Sequence, residues 1–237
     1  MALIVCEVGQ NHCGRMELAQ TLIELAYKNG ADLAKFQLYD HNQLYKDHPE
    51  IPNVELSFDQ AKMLFDYGAE IGIEVFFSVF DIERVKWCEE IGVKRYKVGA
   101  RNGNKSLWAK IAETGKPTII SYDPDYEKWG FPSTWKILYC VSSYPAKVVR
   151  FNQGMFEDVG DEAGSSDGRA EYHKEYDGFS DHTIGLDATM IALARGAEII
   201  EKHFTISHGT GIDAEWSMTP GELRALKRWE QAVKKIL

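Results

Sequence analysis

The chain has 237 residues, with 27 Lys and Arg against 36 Asp and Glu, a formal net charge of −9. Hydrophobic residues make up 44% and aromatic residues 12%, which excludes a wholly disordered chain and is enough for a sizeable core. The acidic balance argues against nucleic acid or an anionic membrane surface as a partner, because a polyanion needs a basic face. A small anionic substrate stays open, since a few placed lysines make a local positive pocket.

No apolar run approaches the ~18 residues that span a bilayer. The start, Met1 to Glu7, lacks the basic segment of a signal peptide and reads as a buried first strand. Cys6, Cys13, Cys88 and Cys140 form no CxxC pair, so a reduced, cytoplasmic setting is expected. In chain order, the first strand is Leu3–Gly9 and the first helix Arg15–Asn29, stopped by Gly30. Leu33–Leu38 is the second strand. Ser57–Ile71 is a helix in which Ser57 is the cap and Gln60 stands three residues on. Val75–Val79 precedes a helix over Asp81–Ile91, and Arg95–Ala100 precedes one over Lys105–Thr114. Pro117–Ser121 is the fifth strand, followed by a weak, short helical segment at Pro124–Gly130. Lys136–Ser143 is the sixth strand. A polar loop, Asn152–Asp177, stands where its helix belongs. Gly178–His182, a helix over Asp187–Arg195, the strand Glu198–Phe204 and a last helix over Gly221–Ile236 complete the chain.

Eight strands, nearly all followed by a helix, predict an α/β fold of the closed (β/α)₈ TIM-barrel type, as one domain over 1–237. The first strand leads into Gly9-Gln10-Asn11-His12-Cys13-Gly14, which is not the GxGxxG loop of an open dinucleotide-binding sheet. The informative pattern is polar residues spaced by two inside apolar strands, since residues i and i+2 share a side. Lys35 with Gln37, Ser142 with Tyr144, Ser180 with His182, and Glu201 with His203 follow it; Glu7 and Lys97 hold comparable positions. An unpaired buried ion is costly, whereas the carboxyl ends of barrel strands open into one cleft, where barrel enzymes keep their sites.

His182 and His203 end consecutive strands, so their rings are expected to converge. With Glu201 nearby they suit a borderline divalent ion such as Mn²⁺ or Zn²⁺, leaving positions for water and substrate. Lys35 and Lys97, with Ser78 between them and Ser121 beyond, form a cradle for a phosphate or carboxylate. The bland alternatives are satisfied core histidines and a structural lysine network. Asn11 and His12 either shape the first loop or orient a ligand or a neighbouring loop.

Seven segments resemble the sialic acid (N-acetylneuraminate) synthase family. They are Glu7–Gly14 (EVGQNHCG), Gly30–Gln37 (GADLAKFQ), Tyr96-Lys97-Val98, Gly115–Ser121 (GKPTIIS), Cys140–Pro145 (CVSSYP), Ser180–Gly185 (SDHTIG) and Gly196–Thr205, ending IEKHFT. The resemblance implies a barrel that condenses phosphoenolpyruvate with N-acetylmannosamine or a related N-acyl amino sugar, giving a nine-carbon 2-keto acid and phosphate. It implies a divalent metal, usually Mn²⁺, on His182 and His203, and phosphoenolpyruvate on Lys35, Lys97, Ser121 and Ser180. It turns Glu7, Gln37, Tyr144 and Asp213 toward the sugar. Family members commonly carry a serine where this chain has Ala100, and many carry a C-terminal antifreeze-like domain that is expected to be absent here. Relatives pair as dimers, so a homodimer is an open expectation. Two other readings stay open: a related 2-keto acid synthase or aldolase with another acceptor, and a non-catalytic ligand-binding relative.

Overall fold

In a computed structural model of the chain, residues 1–125, 130, 132–147, 149–152, 155–156 and 174–236 are described. The strands are β1 (Leu3–Gly9), β2 (Leu33–Leu38), β3 (Glu74–Val79), β4 (Tyr96–Val98), β5 (Thr118–Tyr122), β6 (Lys136–Cys140), β7 (Gly178–Asp181) and β8 (Ile199–His203). All pair in parallel and in sequence order. The barrel closes where β1 meets β8, with Leu3 opposite Ile199 and Glu7 opposite His203. The expected (β/α)₈ barrel is thus the fold.

The helices are α1 (Met16–Lys28), α2 (His41–Leu44), α3 (Phe58–Ile71), α4 (Ile82–Ile91), α5 (Lys105–Glu113), α6 (Asp187–Ala194) and α7 (Pro220–Val233). α3 starts with the capping box expected from Ser57 and Gln60. α7 starts with a second one, in which Thr219 and Glu222 satisfy each other's backbone N–H groups. Most of the expected helical segment at Pro124–Gly130 and most of the loop Asn152–Asp177 lie outside the described residues. No helix among the described residues is long and apolar enough to cross a membrane. All four cysteines are free, and only Cys13 is exposed.

Two strand ends differ by two residues or more from the sequence expectation, the others by at most one. β4 stops at Val98 rather than Ala100, because the chain turns at Gly99, whose carbonyl accepts from Asn102 N at 3.0 Å. β6 stops at Cys140 rather than Ser143, because Ser142 N leaves the ladder to donate to Asp123 Oδ2 at 2.6 Å.

The alternation of each strand separates two cores. Outward residues pack beneath the helices: Ile4, Phe36, Phe77, Val98 and Phe179 are all 0% exposed there. Inward residues near the amino ends, Val5, Leu33, Phe76, Ile119, Leu138 and Ile199, form a small apolar plug inside the barrel. Two residues further along the strands, the same inward side carries Glu7, Lys35, Ser78, Ser121 and Glu201. The plug gives these groups a dry floor. Gly178 is needed at the β7–β8 contact, since a Cβ there would meet Ile199 O at 1.9 Å.

Candidate active site

The inward polar residues line one cavity of about 830 Å³ at the carboxyl ends of the strands. Its floor is a network of alternating charge. Lys35 Nζ pairs with Glu7 Oε2, donates to Ser78 Oγ at 2.7 Å, and lies 3.6 Å from Glu201 Oε2. Lys97 Nζ donates to Ser121 Oγ at 2.8 Å and lies 3.5 Å from Glu201 Oε1, which also accepts from Ser180 Oγ at 3.2 Å. Gln37 Nε2 donates to Glu7 Oε1 at 3.1 Å.

All four ions are at least 94% buried, so their proton affinities follow from burial set against partners. Burial would raise the Glu201 carboxyl, but Lys35 and Lys97 overcome it and hold it at about 2. Burial raises the Glu7 carboxyl, with Lys35 opposing. Lys35 is kept charged: burial lowers it, but Glu201 and Glu7 together raise it further. For Lys97 burial wins and its ammonium is made more acidic, because Glu201 is its main counter-charge.

Against this floor stand the two imidazoles. The His182 and His203 rings lie 5.6 Å apart between centroids, at an interplanar angle of 55°. His182 Nδ1 lies 2.9 Å from Val141 O. A carbonyl only accepts, so Nδ1 carries the proton and Nε2 is left with its lone pair, able to accept a hydrogen bond or ligate a metal. Burial, with His203 adding to it, lowers the His182 imidazolium to about 4, so the ring is neutral near pH 7. His203 Nδ1 lies 3.2 Å from Asp213 Oδ2, and this carboxylate raises the ring's proton affinity against burial. Tyr144 closes the box, 4.3 Å from the His182 ring and 6.2 Å from that of His203.

Two imidazoles, each oriented by an oxygen on its other nitrogen, fit a borderline divalent ion such as Mn²⁺. Among the described residues no group of three or more His, Cys, Asp or Glu is arranged around one point. The remaining ligands would therefore be water and substrate oxygens.

The structure brings Glu7, Lys35, Gln37, Ser78, Lys97, Ser121, Tyr144, Ser180, His182, Glu201, His203 and Asp213 to one cavity. Ser142, expected beside Tyr144, does not line it. Period-two spacing fails there because β6 has already ended. Ser142 instead presents its carbonyl to Arg101 Nη2. Asn11 orients a neighbouring loop: its Nδ2 donates to Phe204 O at 3.0 Å and Ser217 Oγ at 2.9 Å, and its Oδ1 accepts from Asp213 N at 2.9 Å. His12 shapes the turn, its Nδ1 accepting from Gly14 N at 3.1 Å.

Gly9 ends β1 in a bulge with φ of +52°, and a Cβ there would lie 2.8 Å from Glu7 Oε1. Sequence reasoning missed much of the outer wall. Tyr39, Gln43, Tyr45, His48, Arg101 and Trp216 line it from the segments that follow the strands. The one available signal was Arg101, a cation four residues beyond Lys97 on the same βα connection.

A parallel barrel that gathers its buried lysines, carboxylates and paired imidazoles at the carboxyl ends of its strands has its site where (β/α)₈ enzymes keep theirs. The sequence matches the NeuB family over residues 22–123 and 132–237, and the chain belongs to that family. It is 30% identical to the N-acetylneuraminate-9-phosphate synthase of Homo sapiens, covering 99% of this chain and 70% of that protein. It is 27% identical to the N,N'-diacetyllegionaminic acid synthase of Campylobacter jejuni, covering 99% and 77%. Among solved structures it is similar to the sialic acid synthetase of Leptospira borgpetersenii in complex with citrate. That likeness has a TM-score of 0.82 and 27% identity, and covers 99% of this chain and 84% of that one. A truncated 3-deoxy-D-arabino-heptulosonate 7-phosphate synthase of Thermotoga maritima shares the fold, with a TM-score of 0.62 at 15% identity.

Proposed function

We propose that the protein condenses phosphoenolpyruvate with N-acetylmannosamine or a related N-acyl amino sugar, giving a sialic-acid-type nine-carbon 2-keto acid and phosphate. The observation that carries this is the cavity's division. Lys35 and Lys97 with Ser78 and Ser121 lie on one side, and His182, His203 and Asp213 on the other. An anionic donor and a polyhydroxylated carbonyl acceptor would lie side by side there.

In the reaction, the methylene carbon of phosphoenolpyruvate bonds to the acceptor's aldehyde carbon. The cationic centre left at the donor's second carbon is captured by water, and the C–O bond to phosphate breaks. Lys35, Lys97, Ser121 and Ser180 hold the donor's carboxylate and phosphate in a dry site, where their charge is least screened. To do so the donor competes with Glu7 and Glu201, which occupy the same ammonium groups in the free protein. Glu201 keeps both lysines aligned, and its charge favours their ammonium forms. Glu7, raised by burial, is suited to hold a proton from a sugar hydroxyl or from water. Gln37, Tyr144 and Asp213 orient the acceptor. His182 and His203 would hold a divalent metal, most suitably Mn²⁺, which when bound supplies Lewis-acid polarisation of the aldehyde. The free thiols accord with a reducing, cytoplasmic setting.

The test is phosphate release. It should require phosphoenolpyruvate, an N-acyl amino sugar and Mn²⁺ together, and stop on chelation. Release without an acceptor refutes the condensation. Tight binding of both compounds without turnover on any amino sugar would mark a ligand-binding relative instead.

A further inference from the structure

Besides Glu201 on its floor, the sector of the cavity formed by β8, β1 and β2 carries four carboxylates: Glu7, Asp40, Glu50 and Asp213. Two of them converge. A Cβ built on Gly9 would lie 2.8 Å from Glu7 Oε1 and 3.4 Å from Asp213 Oδ2. The cationic groups of this sector are already engaged. Lys35 sits on Glu7 and Glu201, His203 on Asp213, and His48 lies 3.2 Å from Glu50. Its other polar groups are neutral. Gln10, Gln37 and Gln43 present amides. Tyr39 OH and Trp216 Nε1 are buried atoms lining the same wall with no hydrogen-bond partner among the described residues. Arg101 stands on the opposite wall, its guanidinium 5.3 Å from the Tyr144 ring centroid and its Nη2 on Ser142 O.

Carboxylates and amides recognise hydroxyl groups, which donate to the one and exchange bonds with the other. A phosphate dianion brings acceptors only. In this sector it would face four like charges with no disengaged cation, a juxtaposition that selects against it. We propose that the acceptor is an amino sugar carrying no phosphate, its hydroxyls met by this acidic and amide-rich wall. The inference rests on the condensation reading, and it separates this chain from relatives named as 9-phosphate synthases.

The test compares kcat/KM for N-acetylmannosamine and its 6-phosphate, using the Mn²⁺-loaded protein with phosphoenolpyruvate saturating. A preference of at least ~30-fold for the unphosphorylated sugar is expected. It should shrink several-fold as salt rises from about 0.05 to about 0.5 M, because the mouth is open to solvent. The double variant D40N/E50Q, which keeps a capping side chain on α2, should shrink it likewise. Equal or better use of the 6-phosphate overturns the proposal, as does a preference that neither salt nor the variant moves. Selective loss of 6-phosphate turnover in Arg101→Gln would show the opposite wall receiving a phosphate, and also overturns it. If neither sugar turns over, the condensation reading fails. Calorimetry with N-acetylmannosaminitol and its 6-phosphate then decides: tighter binding of the first supports the proposal, and binding of neither, or of the phosphate alone, ends it.

Discussion

Lys202 and Asp181 lie between the barrel and its helices, 1% and 0% exposed, with Nζ 2.9 Å from Oδ2. Lys202→Met removes the cation and leaves a buried carboxylate. Breaking such a pair from one side costs ~3–5 kcal/mol. Here Asp181 keeps three other donors: Thr183 N and Oγ1, both at 2.8 Å, and Thr189 Oγ1 at 2.6 Å. The charge therefore stays partly solvated by the protein, which places the loss near ~3 kcal/mol. The carbonyl of Thr183 loses its 2.7 Å partner in Lys202 Nζ, adding ~1 kcal/mol. In a domain of this size ~4 kcal/mol corresponds to a fall of roughly 8–16 °C in Tm. Urea unfolding at pH 7 of Lys202→Met, Asp181→Asn and the double variant closes the cycle. The double variant should recover at least ~1.5 kcal/mol of the summed losses, because Asn keeps the threonine contacts without a stranded charge. A single-variant loss below ~1 kcal/mol, or additive losses, would refute the claim that these two side chains form one buried unit.

Gly178→Ala should cost at least ~3 kcal/mol or prevent folding, since its Cβ would stand 1.9 Å from a strand carbonyl that cannot swing aside; soluble yield and urea midpoint report it. His12 is 1% exposed and burial lowers its imidazolium to about 4, so below pH 6.5 the unfolded chain binds a proton that the folded chain refuses. Its contribution to stability is full above pH 6.5 and falls by up to ~3 kcal/mol on descent to about pH 4. His12→Gln should lose that part of the pH dependence of the urea midpoint, and an unchanged slope would count against a buried neutral ring. Glu201→Gln frees Lys35 and Lys97 from their shared counter-charge, so inorganic phosphate should bind ~10-fold more tightly by calorimetry while turnover falls at least ~100-fold; weaker phosphate binding would show that the lysines do not form the anion cradle.

The barrel was legible because alternation of apolar strands with amphipathic helices is a local signal, and Gly30, Gly92 and Gly196 mark the helix ends plainly. The floor of the site was legible for a related reason. A charged residue two places beyond a buried apolar one, as in Leu33 and Lys35 or Ile199 and Glu201, must share its side, and inside a barrel that side is the cleft. Ser142 shows where the rule stops, since strand periodicity has no meaning once Asp123 has drawn the chain out of the sheet. The outer wall was illegible for want of any period. Tyr39, Tyr45 and Trp216 reach the mouth through loops whose course is set by distant contacts, such as Gln10 Nε2 on Tyr45 OH and Asn11 on the segment bearing Asp213. Only the family resemblance pointed to Asp213.

Site residues and packing residues alternate at the ends of β7 and β8 for a physical reason. At the carboxyl ends of β7 and β8, Ser180 and His182 flank Asp181, and Glu201 and His203 flank Lys202. The inward set builds the site, while the outward pair locks the same two strands together beneath α6. Ser180 opposes Glu201 and Asp181 opposes Lys202 in the ladder. A one-residue slip would turn the imidazoles into the helix layer and strand Lys202 and Asp181 in the cleft. The register that positions His182 and His203 is therefore the one that the buried pair enforces. Chemistry and packing are thus written on neighbouring residues of the same short strands.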